Sequence, residues 1–321
     1  MDTEKEAQEP NWERQLLEKI ALESLKEARV KRRWGIFFKF SGLAYLVALL
    51  FLVVDWDASE KLAADGRHTA LVNVNGTIDA KGDASAEKIN GALQSAFGDK
   101  GTAGVILRIN SPGGSPVQAG IVHDEIRRLR KNHPDIHLYV VVEDMCASGG
   151  YYIASAADKI FVDKASIVGS IGVLMDGFGF TEAMRNLGVE RRLLTSGENK
   201  GFLDPFLPQD AGQKAHAETL LREIHAQFID VVRKGRGDRL RETQEMFSGL
   251  MWTGSQSVKL GLADDFGTVD SVARDVIEVE NILDYSLKEN IAERLAKRLG
   301  AGVSESLSLL RLFSADRAVI R

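Results

Sequence analysis

The sequence predicts α/β layers with mostly parallel strands. Short apolar runs rich in β-branched residues, such as Leu138 to Val142, have the length and texture of strands buried on both faces. Between them lie longer segments with apolar residues at helical spacing, such as Ala217, Leu220, Leu221, Ile224 and Phe228. The two kinds of segment alternate from Thr69 to Val279, the pattern of strands joined by crossover helices.

In order, Thr69 to Asn75 reads as a strand that stops at Gly76. Asp83 to Phe97 reads as a helix, with Ala86, Ile89, Ala92, Leu93 and Phe97 on one side. Gly104 to Ile109 is a second strand and runs into Asn110-Ser111-Pro112-Gly113-Gly114-Ser115. Pro116 to Lys131 is a helix, with proline suited to its first turn. Leu138 to Glu143 is the third strand, followed by a packed helix of small and apolar residues from Gly149 to Ala157. Further strands are expected at Lys159 to Val162, Ile171 to Met175 and Glu190 to Thr195, and helices at Thr181 to Leu187 and Asp210 to Lys234.

The chain has 321 residues, 44% hydrophobic and 27% charged, with a net charge of −5. That suits one domain of ordinary size plus additional segments, and gives no reason to expect nucleic acid. The single cysteine, Cys146, excludes an intrachain disulfide and reads as a small buried filler. Trp34 to Val54 is apolar apart from Lys39 and would span about 31 Å as a helix, close to one bilayer core. Arg29, Lys31, Arg32 and Arg33 precede it, and Asp55 and Asp57 follow. The positive-inside rule then puts residues 1–33 in the cytoplasm and everything after the anchor outside. A cleaved signal peptide fits less well, because over thirty residues come first and Val53-Val54-Asp55-Trp56-Asp57 is a poor cleavage site. The expected organisation is a cytoplasmic segment (1–33), a transmembrane anchor (34–54), a linker (55–68), a catalytic domain (69–285) and a tail (286–321). The tail is a candidate docking segment, a membrane-surface contact or a loosely ordered terminus.

Ser148 lies where a strand ends and a helix begins, and two glycines follow it. Little bulk crowds its hydroxyl, and the first amides of a helix have no partner within that helix. A serine beside free amides suits acyl transfer. A Ser-Gly-Gly turn alone is weak evidence. A second glycine turn, Ser111 to Gly114, ends the preceding strand, and the two together can form an oxyanion hole from Gly149 and either Gly113 or Gly114. Ser148 also needs a base. His68, His123, His133, His137, His216 and His225 fall in a linker, on helices or beside a turn, without a carboxylate placed to orient them, so a Ser-His-Asp triad is unsupported. A lysine base must be uncharged near neutral pH, and moving its pKa from about 10.4 to about 7 costs about 4.6 kcal/mol, which burial can impose. Lys159 and Lys164 neighbour Asp158 and Asp163. Lys200, in a loop before Phe202, Leu203 and Phe206, is the favoured candidate, the alternative being an ordinary surface lysine.

Five motifs together resemble a known family: Asn110-Ser-Pro-Gly-Gly-Ser115, Ala147-Ser-Gly-Gly-Tyr-Tyr152, Gly169-Ser-Ile-Gly-Val173, Ser196-Gly-Glu-Asn-Lys-Gly201 and Trp252-Thr-Gly254. From Thr69 to Val279 the chain resembles the short bacterial form of signal peptide peptidase A, with the Clp protease/crotonase-like fold of repeated β-β-α units. The resemblance implies a Ser-Lys dyad, with Ser148 as nucleophile, Lys200 as general base and Ser170 orienting the lysine amine. It implies an inner-membrane enzyme facing outward that cleaves remnant signal peptides. It also implies a homo-oligomeric ring in which neighbouring subunits share each site. No cofactor or metal is expected. A crotonase-type acyl-thioester enzyme and a silent membrane scaffold of the same fold are the alternatives. An outward-facing domain argues against the first, and intact Ser148 and Lys200 argue against the second.

Overall fold

The computed structural model describes residues 11–53 and 66–287, with the side chains of residues 14–48 in the first stretch. The two stretches belong to separate units. Helix α1 (Asn11–Val53) makes up the first, as 43 continuous residues that include most of the expected anchor. Its described apolar side chains, among them Trp34, Phe38, Phe40 and Leu46, are exposed. No helix among the described residues is long and apolar enough to cross a membrane. The side chains of residues 49–54, which complete the expected anchor, lie outside the described residues. So do most of the expected linker and the tail beyond Leu287.

The second unit is a mixed α/β sandwich. Its leading elements are β1 (His68–Asn75), α2 (Ala86–Gly98), β2 (Thr102–Ser111), α3 (Pro116–Asn132), β3 (Leu138–Ala147), α4 (Gly149–Ala154), β4 (Lys159–Val162) and β5 (Ile167–Gly169). They are followed by α5 (Thr181–Asn186), α6 (Ala211–Arg236), β6 (Met251–Thr253), α7 (Gly254–Leu260), β7 (Asp265–Phe266), α8 (Val269–Val272) and β8 (Ile282–Asp284). The sheet runs β6-β5-β3-β2-β1-β8, with β4 and β7 branching from β3. The pairs are parallel except β5 with β6.

Both sheet faces are buried, which is why the strands read as continuous apolar runs. Ala70, Val72, Val74, Val105, Leu107, Ile109, Leu138, Val140 and Val142 join one core with residues of α2, α3, α4 and α6. Leu71, Ile106, Tyr139, Val141 and Phe161 face the other way, against Val272, Ala273, Val276 and Ile277. Each fully buried aliphatic side chain contributes about 1.5–3 kcal/mol. The two ends of the unit are tied together. The Tyr285 hydroxyl donates to Asp99 Oδ2 at 2.6 Å and lies 2.9 Å from His68 Nε2.

Three differences from expectation have physical causes. The strand expected at Ile171 to Met175 forms earlier, as β5, because Met145–Ala147 of β3 and Met251–Thr253 of β6 offer backbone partners only to Ile167–Gly169. Glu190 to Thr195 is irregular and exposed, and pairs with no strand among the described residues. The β-β-α order appears only at β4-β5-α5 among the described residues, and the other units are β-α.

A buried ion pair locks the end of α6 to the sheet. Arg236 is 1% exposed; its Nε donates to Gly261 O and its Nη1 to Asp264 Oδ2, both at 2.8 Å. The Ile160 amide also donates to Asp264 Oδ2, at 2.7 Å. Burial alone would raise the Asp264 carboxyl, but Arg236, the Ile160 amide and Arg239 outweigh it and hold the group below the ordinary carboxylate range. Its stabilising contribution is therefore complete above an unfolded value of about 3.9 and fades as pH falls through the lower folded value. Asp264→Asn leaves a buried guanidinium uncompensated and is expected to cost about 3–5 kcal/mol in urea unfolding at neutral pH. That loss should shrink on acidification, whereas a pH-independent loss would mean that the pair adds nothing electrostatic.

Candidate active site

The site is assembled where β3 changes partners. Ile109 pairs with Val142, but Ser111 pairs with Cys146, so β3 carries two additional residues between those pairs. The bulge turns Glu143 and Asp144 outward and lets β3 leave β4 for β5. Ser166 fixes the fork: its Oγ donates to Glu143 O at 2.5 Å and accepts from the Asp163 amide at 3.0 Å.

Ser148 follows β3 directly, at φ 52° and ψ −121°. Such a backbone costs about 1–3 kcal/mol for a residue with a Cβ and persists only where its surroundings enforce it. Here the Ser148 amide donates to Gly169 O at 2.8 Å, and its carbonyl accepts from the Tyr152 amide at 2.9 Å. The Ser148 hydroxyl makes no hydrogen bond among the described residues.

The second glycine turn closes over this serine. A Cβ on Gly113 would stand 2.7 Å from Ser148 Cβ and 2.8 Å from the Gly149 nitrogen, and one on Gly114 would stand 2.1 Å from Ile78 O. Both glycines have positive φ, 102° and 148°. Their amides differ. Gly113 donates to Ser111 Oγ at 3.2 Å, while Gly114 has no acceptor among the described residues. The Gly114 nitrogen faces Gly149, lying 3.3 Å from where a Gly149 Cβ would be. Gly149 opens α4, so its own amide has no intrahelical partner. The Gly113-Gly114 and Ser148-Gly149 turns are thus packed together, and among the described residues the Gly114 and Gly149 amides have no acceptor while that of Gly113 does.

Ser170 lies beside this centre, since it follows the Gly169 carbonyl that Ser148 grips. Its φ is 50°, its amide donates to Leu250 O at 2.8 Å, and its own hydroxyl is unengaged among the described residues. Lys200 stands apart. It is exposed in the loop after Gly197, and its Nζ makes no hydrogen bond or ion pair among the described residues, with Ser148 or any other group. The chain thus gathers Ser148, Ser170, Gly113, Gly114 and Gly149, while Lys200 is exposed and makes no hydrogen bond to any of them among the described residues.

The arm that carries Lys200 has its own framework. Phe180 stacks on Phe206 with centroids 5.4 Å apart, the Phe180 amide donates to Pro205 O at 2.7 Å, and Leu203 N donates to Gln213 Oε1 of α6 at 3.0 Å. Its outer side is apolar, with Leu174 79%, Phe178 80%, Leu187 78% and Leu194 97% exposed.

None of the six histidines hydrogen-bonds Ser148. His123 is buried in α3 against Tyr152, with ring centroids 5.3 Å apart, and burial pushes its pKa below the ordinary histidine value despite Asp124 at 3.2 Å. His225 has a place the sequence did not indicate. It lies on α6 with Nε2 3.1 Å from Ile171 O, tethering the segment that carries Ser170. Its helical position gave no sign of this, because the partner is a main-chain atom 54 residues away. Cys146 is fully buried, and burial pushes its thiol up, away from the nucleophilic thiolate. Tyr151 is core, its hydroxyl donating to Leu262 O at 2.7 Å, and Tyr152 packs on Phe228.

The sequence profile described as Peptidase family S49 matches residues 130–282, a span that holds Ser148, Ser170 and Lys200. A putative protease of Methanocaldococcus jannaschii is 30% identical over 219 residues, which cover 65% of this chain and 70% of that one. The chain belongs to peptidase family S49. Among other relatives of this S49 chain, a putative signal peptide peptidase SppA of Enterococcus faecium is 28% identical over 269 residues, 78% of each chain. A Brucella abortus protein named as the Na(+)/H(+) antiporter NhaA is 47% identical over 184 residues, 57% of this chain. The S49 chain matches only 25% of that protein's length, so the name carries no statement about transport here.

Proposed function

We propose that this chain is a serine endopeptidase that hydrolyses peptide bonds through an acyl-enzyme on Ser148. The observation that carries the reading is Ser148 on a strained turn packed against the Gly113-Gly114 turn, with its hydroxyl and the amides of Gly114 and Gly149 unengaged among the described residues. In the proposed mechanism an uncharged Lys200 amine removes the Ser148 proton as Oγ attacks the scissile carbonyl. The Gly114 and Gly149 amides take the developing oxyanion. Lys200 then passes the proton to the leaving amine, and water releases the acyl group by the reverse sequence. Ser170 hydrogen-bonds the lysine amine and orients it.

Lys200 must leave water to act as a base, and within one chain it is exposed. The apolar outer side of its arm supports a homo-oligomeric ring, in which a neighbouring copy covers the arm and receives the lysine. The apolar run from Trp34 and its basic N-terminal flank support a single-pass anchor in the inner membrane, with the peptidase domain outside. Peptides left in that membrane after secretion, remnant signal peptides, are the substrates proposed. Full-length chain in mild detergent is expected to cleave both casein and a synthetic signal peptide and to be labelled on Ser148 by a fluorophosphonate. Cleavage of neither substrate, with no label at Ser148, would overturn the reading.

A further inference from the structure

Ser148 occupies the C-terminal end of β3. The opposite end of the sheet, where the strands begin, carries a cavity of about 390 Å³ between the last turn of α3, the residues just before β4 and the end of α6. Five cationic side chains line it, Arg127, Arg130, Lys131, Lys234 and Arg239, against one carboxylate, Asp158.

Helix ends account for part of this charge. Cations in a last turn answer free helix carbonyls. Arg130 donates to Ala156 O and to the Asp158 carboxylate. Arg239 donates to Gly235 O at 2.7 Å and to Asp158 O at 2.8 Å, and is ion-paired with Asp264 Oδ1 at 3.2 Å. Asp158 is engaged in turn, by Arg130 and by the Leu138 amide at 2.9 Å, so it is not free to neutralise the others. Lys234 has Asp230 at 2.6 Å, an exposed pair that contributes little. Arg127 and Lys131 have no ion pair or hydrogen bond among the described residues, and neither reaches a helix carbonyl. They stand four residues apart on one helix face, where like charges repel. A cleft with that surplus, and with two guanidinium groups already fixed in position, suits a compact anion carrying more than one charge.

We propose that this cavity binds a phosphate group, carried by a lipid headgroup or by a soluble phosphate. A phosphate monoester brings about −1.5 to −2 charges and several acceptor oxygens, and guanidinium forks match its geometry. A single carboxylate would leave one of the two unpaired cations, Arg127 and Lys131, unmet. The proposal does not rest on the peptidase reading, because the cavity and Ser148 lie at opposite ends of the sheet.

The test titrates full-length chain, held in a detergent with an uncharged headgroup, by calorimetry. One arm uses inorganic phosphate against chloride at matched ionic strength. The other uses a short-chain phosphatidic acid, whose headgroup is a phosphate monoester, below its critical micelle concentration. Saturable binding is expected in at least one arm. Arg127→Glu combined with Lys131→Glu should weaken it at least tenfold, and Lys234→Glu alone should weaken it less. All three residues are exposed, so folding is preserved and peptide cleavage should match the unmodified chain. Binding of the lipid alone assigns the site to a headgroup, and binding of inorganic phosphate assigns it to a soluble ligand. No saturable binding in either arm, or equal affinity in the double variant, overturns the proposal.

Discussion

Ser148→Ala is expected to lower casein and signal-peptide cleavage by about 10⁴- to 10⁶-fold, as loss of a nucleophile does when the remaining machinery acts only with it. The thermal midpoint should barely move, because the hydroxyl makes no hydrogen bond among the described residues whose loss would be felt. A companion variant sharpens the result. Ser148→Gly removes the same hydroxyl and also the Cβ that makes φ 52°, ψ −121° costly. It should be equally inactive yet about 1 kcal/mol more stable in urea unfolding. Opposite changes in activity and stability at one position would mark strain held for function. Residual cleavage within about tenfold of the unmodified chain in either variant would remove Ser148 as nucleophile, and a destabilised glycine variant would show that the turn is relaxed.

The strand-to-helix turn at Ser148 was legible because its signals are local. A β-branched run, a serine and two glycines lie within eleven consecutive residues, Val140 to Gly150. The strands and helices around it were legible for a related reason, since burial on both sheet faces leaves continuous apolar runs. What escaped depends on distant partners. Which of Gly113 and Gly114 keeps an unengaged amide among the described residues depends on the Ser111 hydroxyl, and both glycines look alike in the sequence. The position of β5 is set by β3 and β6 on either side, so the apolar residues at Ile167 and Val168 and those at Ile171 and Val173 were equally good candidates. His225 tethers a carbonyl, and a carbonyl leaves no mark on composition. Glu190 to Thr195 has a strand's pattern without a strand's partner among the described residues.

Lys200→Ala is expected to lower cleavage by about 10²- to 10⁴-fold, the usual worth of a general base. The more informative outcome comes from combining it with Ser148→Ala in one assembly. Neither chain alone has a complete dyad. If each site takes Ser148 from one copy and Lys200 from its neighbour, random mixing leaves about a quarter of sites with both groups intact, and activity should return to about that fraction. The physical case rests on the arm. Lys200 is exposed in a single chain, and Leu174, Phe178, Leu187 and Leu194 present apolar surface that a monomer gains nothing by showing to water. A neighbouring copy packed there would bury those side chains, give Glu190 to Thr195 a backbone partner and dry the lysine in one step. Co-expressing the two variants with different affinity tags and purifying through both guarantees that every assembly assayed is mixed. Recovery near a quarter supports a shared site. Mixed assemblies that stay inactive would mean that Ser148 and Lys200 act within one chain or not together. Failure to isolate any doubly tagged assembly would remove the ring, and with it the route by which Lys200 is taken out of water.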